Sequence, residues 1–392
     1  MRKASTTAIF ISRSAIAGFM GIELAVLEEE RLKPFLLGHG PTARLWALWR
    51  QQLAYPKFAE GVRSICSTYP IPVNAHGLPF IISPLTHRGD STGNGRALHE
   101  IIEPDIVHLD RLPHPKYKGI IADGEFLTVS NTPASIPHCI AWAMPSSEYD
   151  VRLLEGHYPR QSVWDSADEM LRLADMHPGV TIISHGVLSG SSKSNRHQQM
   201  YIDTFIPCQR LLYKLAFGEK RCGLDSKILV KRKHSLLLDV IGYLPCQMLI
   251  AKDQSAVKGF LEKYHPTLAN LDKDFLSKST APDHVKPYGL WVPGLDCFEY
   301  DPRVGVTVRF LDGTYIVECF PKLTNRPSPN TTLIGIGPAT RESQGQVIAL
   351  NRNDAMLLAT QPELLWRILY ETSTAYIPAM NKELAYQLRK GF

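Results

Sequence analysis

The sequence lacks several features that would assign it directly to a class of proteins. It has no window of about 18 uninterrupted apolar residues, which argues against a transmembrane helix. Its seven cysteines are scattered and include no Cys-x-x-Cys pair, so a disulfide framework is not indicated. We therefore expect reduced thiols, a cytoplasmic location and no membrane partner.

Motifs of the common enzyme classes are also missing. We find no GxGxxG, no GxxxxGK[ST], no HExxH and no GxSxG, and no Ser/His/Asp or Cys/His constellation of known spacing. Whether the chain is an enzyme is therefore left open, and no cofactor and no metal site is predicted.

What the sequence does contain is an ordinary globular composition with many loop formers. Hydrophobic residues make up 44% and charged residues 21%, with 28 prolines and 27 glycines. The basic, Ser/Thr-bearing N-terminus resembles a targeting segment, but the alternation in "TAIFISRS" favours a first β-strand instead.

Local patterns predict several helices and strands. Residues 166–176 begin with a Ser-x-x-Glu capping box and lead into the strand "VTIIS". Residues 206–218 form a helix that ends at Gly218, and a helix from Asp253 stops at Pro266. The strongest hairpin is "VGVTVRFLDGTYIVECF", in which Asp-Gly supplies the two-residue turn. A late helical stretch is interrupted at Pro362.

Together these elements predict an α+β (mixed α/β) fold. We expect a β-rich N-terminal half with long loops, a helical middle, and a C-terminal part with a β-hairpin closed by a helix. Shifts in composition place the domain boundaries near 150 and 280, giving 1–150, 151–280 and 281–392.

The stretch "SPLTHRGDSTGNGRALHE", from Ser83 to Glu100, is unusually rich in glycine, arginine and histidine. Its glycines allow close approach of the backbone to an anion, and Arg88 and Arg96 offer forked donors to phosphate. A plain surface turn is the alternative.

A second candidate is the densest basic run, which begins at "GEKR" and continues through "KILVKRKH". Such runs attract phosphate backbones through counterion release. The predicted nucleic-acid-binding residues are Arg88, Arg96, Lys193, Arg196, Lys220, Arg221, Lys227, Lys231, Arg232 and Lys233. A solvated face is the alternative.

Three weaker candidates complete the set. Five histidines lie between His76 and His114 with aspartates among them, but without metal-ligand spacing. Ser184-His185 follows a predicted strand, where α/β folds present functional loops. "LIGIGPATRE" resembles a small phosphate loop that carries Arg341.

Three functions remain compatible with the sequence. The first is a non-catalytic nucleic-acid-binding (DNA or RNA) component of a cytosolic assembly, which uses the basic run and the Gly/Arg loop and has protein partners or self-associates. The second is a metal-assisted hydrolase or nuclease that uses segment 76–125. The third is a structural or scaffold subunit.

Overall fold

The computed structural model describes a set of segments of the chain. They are 38, 40–43, 45–47, 50, 70–84, 120–123, 126–130, 138–143, 167–185, 198–202, 206–219, 223–276, 290–292, 297–299, 304–323, 340–349 and 352–392. The predicted N-terminal strand and most of the Gly/Arg loop fall outside them.

A ten-stranded antiparallel sheet forms the centre of the described fold. Its spatial order is β3-β4-β5-β7-β6-β13-β14-β10-β9-β8. The strands are β3 (Ile120–Asp123), β4 (Phe126–Ser130), β5 (His138–Ala143), β6 (Thr181–His185), β7 (Gln198–Tyr201), β8 (Asp225–Lys231), β9 (Ser235–Ile241), β10 (Gln247–Ala251), β13 (Val304–Leu311) and β14 (Thr314–Pro321). The outer positions belong to β3 and β8.

Two smaller sheets accompany it. A three-stranded sheet has the order β1-β2-β15, with β1 (Ile71–Ala75), β2 (Leu78–Pro84) and β15 (Gln346–Ala349). β15 pairs in parallel with β2, although the two strands are far apart along the chain. The third sheet consists of β11 (Leu290–Val292) and β12 (Cys297–Glu299).

The helices, in chain order, are α1 (Ala167–Met176), α2 (Pro207–Ala216), α3 (Gln254–Leu276), α4 (Thr340–Ser343), α5 (Arg352–Thr360), α6 (Pro362–Glu371) and α7 (Pro378–Gly391). Short 3-10 turns lie at Gly40–Thr42 and Thr374–Tyr376. The prediction of an α+β fold is therefore confirmed.

The hairpin β13–β14 is confirmed with its turn. Leu311 pairs with Thr314 across the turn, and the two turn residues have positive φ, 50° at Asp312 and 72° at Gly313. Both strands are buried on both faces, because each side of the central sheet is covered.

The side of the ten-stranded sheet that carries Val304, Val306 and Val308 packs against α1, α3 and α7. We call this the helical face. On it, α3 buries one continuous apolar stripe along its length: Val257, Phe260, Leu261, Tyr264, Leu268 and Leu271.

The prediction that this helix stops at Pro266 is wrong, because α3 continues to Leu276. The apolar stripe of α3 extends past Pro266. Burial of the turn after the proline therefore stabilises the helix at a point where the proline ring would otherwise interrupt it. The hydroxyl of Thr267 also donates to the carbonyl of Lys263 at 2.8 Å.

The opposite side of the ten-stranded sheet is covered by α2 and by the 340–346 segment. We call it the polar face, since Thr307 and Glu318 stand on it. The sulfur of Cys208 on α2 lies 2.8 Å from the carbonyl oxygen of Pro79 on β2, which ties α2 to the three-stranded sheet. α5 and α6 pack on the same small sheet.

Strands of the ten-stranded sheet come from all three predicted segments of the chain, so the segments share one sheet. The predicted boundaries at 150 and 280 stay predictions. No helix in the described segments is long and apolar enough to cross a membrane.

Candidate functional site

A buried carboxyl group, that of Glu318 on β14, is the centre of the polar face. Thr307 stands directly opposite on β13, and its hydroxyl donates to Glu318 at 2.9 Å. The side-chain amides of Gln209 on α2 and Gln344 donate to the same carboxyl at 2.7 and 3.3 Å. Glu318 is only 1% exposed, so three donors from three separate parts of the chain compensate its loss of water.

Two hydrogen bonds and one cation–ring contact connect this carboxyl with an arginine. The hydroxyl of Tyr201 on β7 donates to the side-chain oxygen of Gln344. The guanidinium carbon of Arg341 lies 5.3 Å from the centre of the Tyr201 ring, and Arg341 also donates to the side chain of Gln346. The arginine is 8% exposed, so its planar head is held among fixed partners.

A second buried cation, Lys322, lies at the end of β14. Its burial lowers the pKa of the ammonium to about 7, and the carboxylate of Glu342 opposes this shift. Burial also lowers the pKa of Arg341, again against the attraction of Glu342. One carboxylate thus acts on two buried cations, and we call Lys322, Arg341 and Glu342 the cation site.

Packing around the cation site is close. A Cβ atom built on Gly305 of β13 would lie 1.9 Å from the hydroxyl of Thr340, so no larger residue fits without movement. The Thr340 hydroxyl and the side-chain oxygen of Gln209 are both buried and have no hydrogen-bond partner among the described residues. Buried polar atoms of this kind are expected to meet water or a ligand.

These groups can perform two chemical tasks. A guanidinium and an ammonium together can bind an anion such as phosphate. A lysine whose pKa is near 7 can also give or take a proton at neutral pH. Among the described residues, no group of three or more His, Cys, Asp or Glu could hold a metal ion.

The pKa of Lys322 leads to a test by pH. Because its pKa is about 7 in the folded protein and 10.5 ordinarily, the unfolded chain binds more protons between these values. Stability should therefore rise with pH in this window, by roughly 1 to 2 kcal/mol from pH 7 to 8.5, and Lys322→Met should abolish the rise. Urea unfolding at several pH values measures this rise in stability.

Lys233→Met, at an exposed lysine, is the control and should keep the rise. If stability in Lys322→Met still rose with pH as it does in the unaltered protein, the assigned burial of the Lys322 charge would be contradicted.

The structure places four of the predicted nucleic-acid-binding residues on an exposed surface. Lys227 and Lys231 belong to β8, and Arg232 and Lys233 form the turn to β9. β8 is three strand spacings from β14, or about 14 Å. The other predicted residues, Arg88, Arg96, Lys193, Arg196, Lys220 and Arg221, lie outside the described segments, and all ten assignments stay predictions.

Three of the weaker candidates can be placed. Arg341, from the "LIGIGPATRE" segment, belongs to the cation site. His185 ends β6 and pairs with Gly305, which is next to the cation site. His76 lies in the turn after β1 with φ 54°. Its ring stacks on that of Trp366 with ring centres 4.9 Å apart, so it packs β1 against α6.

Sequence reasoning missed Lys322, Glu318, Thr307, Gln209, Gln344 and Glu342 as site residues. One signal was available, since Glu318 and Thr307 are polar residues within hairpin strands that are mostly apolar. No spacing rule connects them with Gln209 or Gln344, because those partners come from distant parts of the chain.

No family model matches this chain, and no curated protein sequence matches it. Among solved structures, similar chains are those of yeast Ap4A phosphorylase Apa2. The complex with Ap4A has 12% identity over 83% of this chain and 97% of that chain, with a TM-score of 0.49. The enzyme without a named ligand has 12% identity over 83% and 94%, with a TM-score of 0.45, and the AMP complex has 12% over 83% and 96%, with a TM-score of 0.44. At such identity the likeness is one of fold.

The predicted function, a non-catalytic nucleic-acid-binding component, is wrong. The solved chains with similar folds are those of a phosphorylase, which is an enzyme that acts on a nucleotide. The function was predicted wrongly because a run of adjacent basic residues is easy to recognise in a sequence. The polar groups of the polar face, in contrast, come together only when the chain folds.

Proposed function

We propose that this protein is an enzyme that acts on a small phosphorylated molecule of the nucleotide class. The observation that carries the proposal is the cation site, where Lys322 and Arg341 lie buried with Glu342 acting on both. A buried guanidinium and a buried ammonium that share one carboxylate supply the donors and the positive charge that bind an anion such as phosphate. Ap4A and AMP, the ligands named for the yeast phosphorylase, belong to this class.

The two cations have different tasks in this proposal. Arg341 remains charged and holds two oxygens of a phosphoryl group through its planar fork. In the hydrolysis of a phosphate ester or anhydride, water forms the new bond to phosphorus and releases a proton to solvent, while the bond to the leaving oxygen breaks. Lys322, whose pKa is about 7, donates a proton to that leaving oxygen. The Tyr201–Gln344–Glu318 chain keeps Arg341 in place.

The proposal is tested with nucleotides directly. The purified chain is incubated with AMP, ADP, ATP and Ap4A, and products are separated by ion-exchange chromatography while binding is measured by calorimetry. We expect turnover of at least one of the four. Lys322→Met should lower kcat by about 100-fold or more, as loss of a general acid does.

The matched control is Arg309→Met. Arg309 is also a buried arginine, with its guanidinium carbon 4.4 Å from the Tyr213 ring, but it lies four residues beyond Gly305 on β13, about 13 Å along the strand. Arg341→Met should weaken nucleotide binding by about tenfold or more, and Arg309→Met should leave it within about twofold. Absence of both binding and turnover with all four nucleotides would overturn the proposal.

The predicted cytoplasmic location is part of the same proposal. It is supported by three cysteines of the described segments, Cys208, Cys246 and Cys319, which are buried thiols. Burial raises the pKa of all three, to about 12 for Cys208, so they stay protonated and act as packing groups.

A further inference from the structure

Exposed cations from three separate elements meet at one corner of the described fold. The end of β8 and the turn that follows it contribute Lys231, Arg232 and Lys233. α3 contributes Lys263, and the C-terminal end of α7 contributes Arg389 and Lys390. We call these six residues the basic corner. The ring of Phe392 joins the elements, because the charged groups of Arg232 and Lys263 lie 5.0 and 5.9 Å from its centre.

None of these cations forms an ion pair with a carboxylate of the described segments. Elsewhere in the same segments, exposed cations do pair with carboxylates, as Lys258 does with Asp168 at 3.1 Å. The like charges of the basic corner therefore repel one another, and an incoming polyanion would relieve that repulsion.

Cations of the corner already lie against its aromatic rings. Arg232 and Lys263 lie over Phe392, and the ammonium of Lys390 lies 4.7 Å from the centre of the Tyr386 ring. Unpaired nucleic-acid bases bind proteins largely by stacking on open ring faces. Carboxylates need only the cations, so this arrangement favours a ligand rich in carboxylates.

The adjacent sheet edge argues against binding by strand addition. β8 is an outer strand, but it carries a bulge between Ile228 and Val230, with lysines at positions 227 and 231. Bulges and edge lysines are the usual means of preventing strand pairing. A ligand here is held through side-chain charges.

We propose that the basic corner binds an acidic segment of a protein partner, one with consecutive Asp or Glu residues. The carboxylates of the segment lie against the turn and the end of α7. The contact is electrostatic, forms quickly and weakens with added salt.

A labelled peptide of consecutive glutamates tests the proposal by fluorescence anisotropy at low ionic strength. The full chain should bind the peptide, with an affinity that falls as salt rises. Lys231→Glu combined with Lys233→Glu should weaken binding by about tenfold or more. The control, Arg210→Glu combined with Arg352→Glu, changes net charge equally at exposed positions on α2 and α5 and should leave the affinity within about twofold.

Three results would overturn the proposal. The first is an equal loss in both variants, since it would mean attraction to net charge alone. The second is no binding by the unaltered chain at low salt. The third is tighter binding of a single-stranded RNA oligonucleotide, or of vesicles containing phosphatidylserine, than of the peptide. None of these results bears on the cation site, so the two proposals fail independently.

Discussion

Replacing Gly345 by alanine is expected to destabilise the protein by about 3 to 5 kcal/mol, from strained backbone plus overpacking. Gly345 has φ +106°, where an L side chain is strained. Its new Cβ would lie 2.8 Å from the sulfur and 2.9 Å from the Cβ of Cys208. Urea unfolding monitored by circular dichroism measures the loss.

The clash cannot be relieved cheaply, because both neighbours are fixed. Cys208 is fully buried on α2 and contacts the carbonyl of Pro79. The carbonyl of Gly345 itself accepts a hydrogen bond of 2.8 Å from the amide of Ile81. Movement on either side would disturb the packing of α2 against the three-stranded sheet.

Gly242→Ala is the matched control. Gly242 has φ +83°, but nothing lies within 4 Å of a Cβ built on it. Only backbone strain applies there, so we expect a loss of about 1 to 2 kcal/mol. Equal losses at the two positions would contradict the close contact with Cys208.

Gly345→Ala should also affect the cation site. Gly345 separates Gln344, which binds Tyr201, from Gln346, which binds Arg341. A shift of this backbone moves both amides, so nucleotide binding should weaken in Gly345→Ala and persist in Gly242→Ala.

The elements predicted well from the sequence are those that local chemistry specifies. The β13–β14 hairpin follows from Asp312-Gly313, which supplies the positive φ angles of its turn. The predicted helix over 166–176 is present as α1, and the start of α6 follows from Pro362. Pro266 is the instructive failure, since tertiary burial of α3 overrides a local signal.

The candidate site was largely invisible because its members are distant in sequence. Tyr201 and Gln344 are 143 positions apart, and Gln209 and Glu318 are 109 apart. Only the order of strands in the sheet brings them together, and that order does not follow from spacing rules. Arg341 was noticed in the sequence for its glycine-rich segment, yet the ring against which it lies, that of Tyr201, belongs to the distant strand β7.

Glu318→Ala should cost about 3 to 5 kcal/mol of stability, because it leaves three buried donors without their acceptor. The donors are the side chains of Thr307, Gln209 and Gln344, all no more than 2% exposed. Glu262→Ala, at an exposed position on α3, is the control and should change stability by about 0.5 kcal/mol or less.

A double-mutant cycle separates the hydrogen bonds from general packing at Glu318. Thr307→Val removes one donor while nearly keeping the shape of the side chain. In the unaltered protein it should cost about 1 to 2 kcal/mol, because the Glu318 carboxyl then loses a partner. In the Glu318→Ala background it should cost less, because the threonine hydroxyl there is already unsatisfied. Equal costs in both backgrounds would mean that Thr307 and Glu318 do not interact, and the hydrogen bond assigned between them would be wrong.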